Sequence, residues 1–215
     1  RSWYACRQEP VLFQALMNPQ PTVYLTERRP TVQARLPDGR VLEGPRGATL
    51  EAFIQAAELP ADQRVVAALM NGRLRELCFP LTEDADLAPV TTATNDGSRI
   101  YRRSLSFLMI AAAAEVLPGQ VITIHHSMPF GGYYCERGDG QRLSDEELDL
   151  LRLCMRRLVD ADLPIDNIRV PLDEALAFFQ EQGDLEKADL FARRRKAYLT
   201  LYELNGVRDY FHGFM

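Results

Sequence analysis

Three histidines (His125, His126, His212) and four cysteines (Cys6, Cys78, Cys135, Cys154) are the side chains in this 215-residue sequence best suited to metal binding or nucleophilic chemistry. His125 and His126 are adjacent in "QVITIHHSM", a predicted strand, so their side chains should face opposite sides and not serve one site. The cysteines are far apart and form no CxxC pair, which points to reduced, cytosolic thiols rather than a disulfide frame or zinc ribbon. Gly39 and Gly44 have the spacing that opens a phosphate loop, but Pro45-Arg46 follows where Lys and Ser/Thr must meet phosphate and magnesium. "FGGYY" has no helix directly behind it to present amides to an anion. Asp145-Glu146-Glu147 fall in the first turn of a predicted helix, where the macrodipole favours acids, so they read as caps before catalysts.

Basic residues are the other candidates. Arg99, Arg102 and Arg103 cluster at one helix start, Arg152, Arg156 and Arg157 lie along another helix, and Arg193-Arg194-Arg195-Lys196 is the densest basic run. The chain carries a formal net charge of −5, so any RNA contact must be local. Arg102, Arg103, Arg193, Arg194, Arg195 and Lys196 are the candidate RNA- or phosphate-binding residues, against the plainer reading of a solvated charged face. The longest apolar run, Leu105 to Ala114 broken by Ser106, is far short of the ~20 residues that span a bilayer, and no signal-peptide block opens the chain. A soluble, cytoplasmic protein with no membrane partner is expected.

These residues need elements to position them. "TVQARLPDGRVLEG" alternates on both sides of Asp38-Gly39, which predicts a hairpin. Thr49 should cap a helix holding Leu50, Phe53, Ile54 and Ala57 at helical spacing, ended by Leu59-Pro60. A second strand pair turns at Asn71-Gly72, and "LAPVTTAT" supplies a last strand. Hairpin, helix, strands is the order of a β-grasp, ubiquitin-like module.

Asp96-Gly97 is predicted as a turn into a second block. A helix over Arg99 to Leu117 should bury a stripe of Leu105, Leu108, Met109 and Ala112, with Pro118-Gly119 stopping it. Strands follow in "QVITIHHSM" and "GGYYCER" around a Pro-Phe-Gly-Gly turn. Ser144 and Glu147 form a capping box for a helix to about Asp160. "NIRVPLDEALAFFQEQGD" gives a strand and a helix, "LEKADLFARRRK" another helix, and "AYLTLYELNGVRDYF" returns to strands. The fold class is α+β, with helices packed on an antiparallel sheet in this second block. Before the first block, Met17 sits where a start would make sense. Residues 1–16 are therefore expected to be extra to the fold, with a docked strand at Pro10–Leu16 as the alternative. The end, "VRDYFHGFM", has no polar tail, and the natural protein is expected to continue.

The first block resembles a known family. "VQARLPDGRVLEGPRGATLEAFIQAA" and "VVAALMNGRLRELCFPLTEDADLAPVT" look like a TGS domain, the β-grasp module of threonyl-tRNA synthetases and some GTPases and stringent-response enzymes. "RSLSFLMIAAAAEVLPG", "PFGGYYCE", "LSDEELDLLRLCMRRLVDADLPI" and "LTLYELNGVRDYF" resemble the second additional domain that follows it in the synthetases, where it edits mischarged tRNA. The implied organisation is an extension over residues 1–30, a TGS domain over 31–95, and an editing-like domain over 96–215, truncated at its C-terminus.

That resemblance carries a site signature, a helix with His-x-x-x-His and a later Cys-x-x-x-His gathered around one metal or substrate carbonyl. The first pair falls on Arg103 and Phe107 and the second on Phe211 and Met215, so all four positions lack the family residue. A guanidinium has no lone pair to offer a metal. No metal is expected. The resemblance also places the strands near the C-terminal segment, so a rebuilt pocket from His125 or His126 with Cys135, Asp209 and His212 is the alternative, against a reading as core and surface histidines.

"RIYRRSLSFL", "HSMPFGGYYCE" and "LTLYELNGVRDYFHGFM" further resemble bacterial uridine kinase-like proteins, in which such a pair of domains precedes a P-loop kinase. This implies the front half of a nucleoside kinase-like protein, a non-catalytic regulatory module contacting a small nucleotide or amino-acid ligand, or RNA such as tRNA. Its own C-terminal kinase domain would be a further partner. No cofactor is expected in this part, ATP and magnesium belonging to the absent kinase. The competing expectation is a divergent aminoacyl-tRNA editing hydrolase.

Overall fold

A computed structural model of the chain describes residues 25–215 apart from 61, 63 and 129–131, and the side chains of 126 and 127 lie outside the description. Cys6, Met17 and the possible Pro10–Leu16 strand therefore fall outside the described residues, as does most of the Pro-Phe-Gly-Gly turn. The chain divides at Pro30, and Thr31–Met215 form one compact unit.

That unit is α+β. Strands β1 (Thr31–Arg35) and β2 (Val41–Pro45) form the expected antiparallel hairpin, with Gly39 in the left-handed region at φ 89°. Helix α1 (Leu50–Ala56) starts at Thr49, whose hydroxyl accepts from the Ala52 amide at 3.3 Å. β3 (Val65–Met70) and β4 (Arg73–Arg75) turn through Asn71 and Gly72, both at positive φ as the tight hairpin turn requires. β5 (Ala85–Thr91) enters the middle of the sheet, parallel to β1, and gives the order β2-β1-β5-β3-β4. Val32, Ala34, Leu36, Phe53, Ile54, Leu81 and Leu87 fill the core between this sheet and α1.

Helix α2 (Asn95–Val116) begins earlier than its sequence suggests. Thr94 caps it by accepting from the Gly97 amide at 3.1 Å, so Asp96-Gly97 belongs to the first helical turn and is not a separate turn. Glycine is needed at 97 because a Cβ there would lie 2.0 Å from the Thr91 carbonyl oxygen, where helix and strand β5 meet. Of the expected stripe, Ala112 is buried and Leu108 and Met109 pack half-buried against the same core, but Leu105 is 42% exposed, and Ile100, Phe107, Ala111 and Ala113 are buried in addition. The reason is that α2 has two neighbours. Ile100 packs with Ala67 and Val90 on the second face of the five-stranded sheet, whereas Phe107 and the alanines pack against Leu151, Cys154 and Leu158 of α3 (Asp145–Asp160).

α3 opens with the expected capping box between Ser144 and Glu147. Before it, β6 (Ile122–Ser127) and β7 (Tyr133–Arg137) pair antiparallel, with a register shift between Ile124 and His126. β8 (Asp166–Pro171), α4 (Leu172–Glu181), α5 (Leu185–Ala192), β9 (Tyr198–Leu204) and β10 (Val207–Asp209) complete the chain, with β10-β9-β8 an antiparallel sheet covered by α4 and α5 through Phe179 and Phe191. α5 ends at Ala192. Arg194 N–H closes back on the Phe191 carbonyl, so the basic run lies beyond the helix and not within it. Among the described residues no helix is long and apolar enough to cross a membrane.

Candidate functional site

Arg103 and Phe107 stand one turn apart on α2, facing the C-terminal segment that follows β10. Phe107 is fully buried, its ring centroid 5.3 Å from that of Phe211 at an interplanar angle of 58°, and Met215 packs into the same cluster. Burying such a ring stabilises by about 1.5–3 kcal/mol. Arg103 donates from Nε to the Phe214 carbonyl at 2.8 Å and from Nη1 to the His212 carbonyl at 3.1 Å. Gly213 lies between those two carbonyl residues at φ 104°, and a Cβ on it would meet Arg103 Nη1 at 2.8 Å. A guanidinium fork and two phenyl rings thus occupy the junction of α2 and the C-terminal segment. None of them offers a lone pair to a cation.

The same segment is held from the five-stranded sheet. Glu76, just after β4, accepts from the Tyr202 hydroxyl at 2.7 Å and from the Met215 amide at 3.2 Å, while its other oxygen accepts from Asn167 Nδ2 at 2.7 Å. Tyr202 OH also lies 3.1 Å from the Gly213 carbonyl. Burial, and after it the Glu76 carboxylate, push the Tyr202 hydroxyl well above its ordinary pKa. Phe214 packs with Ala67, Val90 and Ile100, which ties the end of the described chain into the layer between the two blocks.

The remaining candidates are each taken up differently. His125 Nε2 lies 3.1 Å from Glu136 Oε2, both on the exposed β6-β7 hairpin. The register shift at His125 breaks the strict alternation on which opposite facing of His125 and His126 rested. Cys135 is half-buried, and burial raises its thiol pKa, which disfavours the thiolate. Asp209 accepts from Lys187 Nζ at 2.7 Å and from the Tyr210 amide at 2.7 Å. His212 is exposed and contributes its backbone carbonyl to Arg103. Among the described residues, no three His, Cys, Asp or Glu side chains are grouped to hold a metal ion.

Of the basic candidates, Arg103 is turned inward as described and Arg194 lies over Tyr210 at 5.9 Å. Arg102, Arg193, Arg195 and Lys196 are exposed. Arg157 is spent on Glu115 and Arg152 on Asp149.

Lys187 marks a feature the sequence reading missed. A cleft of about 540 Å³ opens beside α2, floored by Ile110, Ala113, Ile122 and Phe178 and edged by Lys187 and Asp209. Lys187 Nζ reaches Asp209 at 2.7 Å and Asp184 at 3.0 Å. Burial alone would lower the Lys187 pKa, but the two carboxylates outweigh it and hold the ammonium above its ordinary value. A signal existed, since this arginine-rich chain has just two lysines, Lys187 and Lys196.

No family model matches the chain. It is similar to the threonine–tRNA ligase of Syntrophotalea carbinolica, 28% identical over 183 residues covering 85% of this chain and 29% of that protein. Threonine–tRNA ligase 2 of Bacillus subtilis is 27% identical over 183 residues, 85% of this chain and 28% of the relative. The Parvibaculum lavamentivorans threonine–tRNA ligase is 29% identical over 161 residues, 75% of this chain and 24% of the relative. The chain spans less than a third of the length of these curated relatives.

Proposed function

We propose that the protein is a non-catalytic regulatory module, a TGS-type β-grasp domain (residues 31–95) followed by an editing-like domain (residues 96–215) whose metal site has been lost. The observation that carries this reading is the Arg103 guanidinium clasping the His212 and Phe214 carbonyls beside the tilted Phe107–Phe211 pair. It fills the positions at which the resembling editing domains keep imidazole and thiolate. The sheet order β2-β1-β5-β3-β4, with α1 between β2 and β3, supports the β-grasp half. The similarity to threonine–tRNA ligases over most of the chain supports the pairing of the two domains and makes tRNA or an amino acid a reasonable ligand. The placement ahead of a nucleoside kinase-like domain, with that domain as partner and user of ATP and magnesium, rests on sequence resemblance alone.

One observation favours the alternative, a divergent editing hydrolase. The Lys187–Asp209 pair lines a cleft large enough for a small polar ligand, and it does not depend on a metal. Deacylation of Ser-tRNA(Thr) by the purified protein separates the two readings. No turnover, with a known editing domain active in parallel, is expected of the regulatory module. Turnover abolished by Lys187→Met or His212→Ala would establish the hydrolase instead.

A further inference from the structure

The cations of this acidic chain fall into two groups. One group sits against carboxylates: Arg40 on Asp38, Arg137 on Asp139 and Glu147, Arg157 on Glu115, Arg208 on Glu203. The other has no carboxylate partner among the described residues, and around Tyr198 two of its members are gathered on one aromatic ring. Pro171 of β8 pairs with Tyr198 of β9, so Arg169, two residues from Pro171, sits diagonally across from Tyr198 on the same face. Its guanidinium carbon lies 3.3 Å from the Tyr198 ring centroid, and Lys196 Nζ lies 5.9 Å from the same centroid. Arg193 and Arg195 are exposed on the loop that leads into β9. Among the described residues, the side chains of Arg169, Arg193, Arg195 and Lys196 make no ion pair or hydrogen bond.

Two positive groups on one ring repel each other, and in a chain of net charge −5 there is no shortage of acids to relieve them. A guanidinium lying on an aromatic face keeps its edge N–H donors free and oriented, the arrangement that suits a two-point contact to a phosphate. We propose that Arg169, Lys196, Arg193 and Arg195, organised on Tyr198, form a binding surface for the phosphate oxyanions of an oligophosphate, whether a free polyphosphate group or the backbone of a nucleic-acid strand. Tyr198 holds Arg169 in place through its ring, and the loop cations extend the positive surface along the start of β9. The surface is separate from the Arg103 clasp; it rests on the ligand-contacting part of the reading above and not on the fate of the metal site.

The test uses the full chain with two probes, inorganic tripolyphosphate by titration calorimetry and a labelled single-stranded oligouridylate by anisotropy, at 50 and 200 mM salt. Binding is expected to weaken at least about tenfold in the combined Arg193→Gln, Arg195→Gln, Lys196→Gln variant, whose changes lie on an exposed loop and leave the β8-β9 sheet intact. Arg169→Gln should weaken it independently, and Arg73→Gln, on edge strand β4, should leave it unchanged. Four phosphate contacts to a single strand predict about a 50-fold loss between the two salts. Tripolyphosphate binding lost in the variants assigns a free oligophosphate as ligand. Oligouridylate binding alone, lost in the same variants, assigns a strand. No binding of either probe at 50 mM salt, or binding indifferent to the variants, overturns the proposal. Since neither readout involves metal or deacylation, failure here is distinguishable from failure of the regulatory-module reading.

Discussion

Arg103 on α2 donates from Nε to the backbone carbonyl of Phe214 at 2.8 Å, joining residues 111 apart in sequence. With the second donation to His212, the guanidinium ties helix to C-terminal segment through two hydrogen bonds.

Removing the clasp should therefore destabilise the protein. Arg103→Ala leaves two carbonyls without their donors, at a cost of about 1–3 kcal/mol. Gly213→Ala should act in the same direction, because φ 104° is strained for alanine and its Cβ would push on Arg103. Both are read as lower urea midpoints at unchanged m. A double variant costing much less than the sum of the two would show that they break one arrangement.

Tyr202 gives a pH signature. Its folded-state pKa is raised by burial and by Glu76, so below about pH 10, where the unfolded phenol is still protonated, its full contribution is present. As pH rises past 10, the unfolded chain loses the proton first and stability falls. Glu76→Gln removes the negative charge while keeping an acceptor, so the Tyr202 phenolate should appear at lower pH. Spectrophotometric titration against Tyr202→Phe as the blank checks the shift.

How much of this could be read beforehand depends on how local each feature is. The Asp38-Gly39 and Asn71-Gly72 hairpins, the Thr49 cap and the Ser144/Glu147 box were legible because their bonds close within a few residues. Asp96-Gly97 misled because the dipeptide that favours a turn also suits the first turn of a capped helix, and Thr94 decides between them. Leu105 misled because hydrophobic spacing cannot tell which face meets a neighbour when α2 changes neighbour along its length. The alignment of Arg103, Phe107, Phe211 and Met215 with the ligand positions of the resembling editing domains came from resemblance; that Phe107, Phe211 and Met215 share one cluster is a property of the fold. Glu76 had no sequence signal, since its three donors lie 91, 126 and 139 residues away.

Lys187 is held by two carboxylates at the edge of the cleft, and removing its charge leaves Asp184 and Asp209 facing each other's field unrelieved. Lys187→Met should cost about 1–3 kcal/mol. Asp209→Asn in the Lys187→Met background should recover part of that loss, a coupling that denaturant titration of the four proteins measures directly.

The most direct test of the filled-site account is the zinc stoichiometry of the purified protein, dialysed against zinc and then against metal-free buffer, with a known editing domain in parallel. The account predicts that the control retains zinc and this protein retains none. One equivalent of tightly held zinc per chain, lost on His212→Ala, would contradict it.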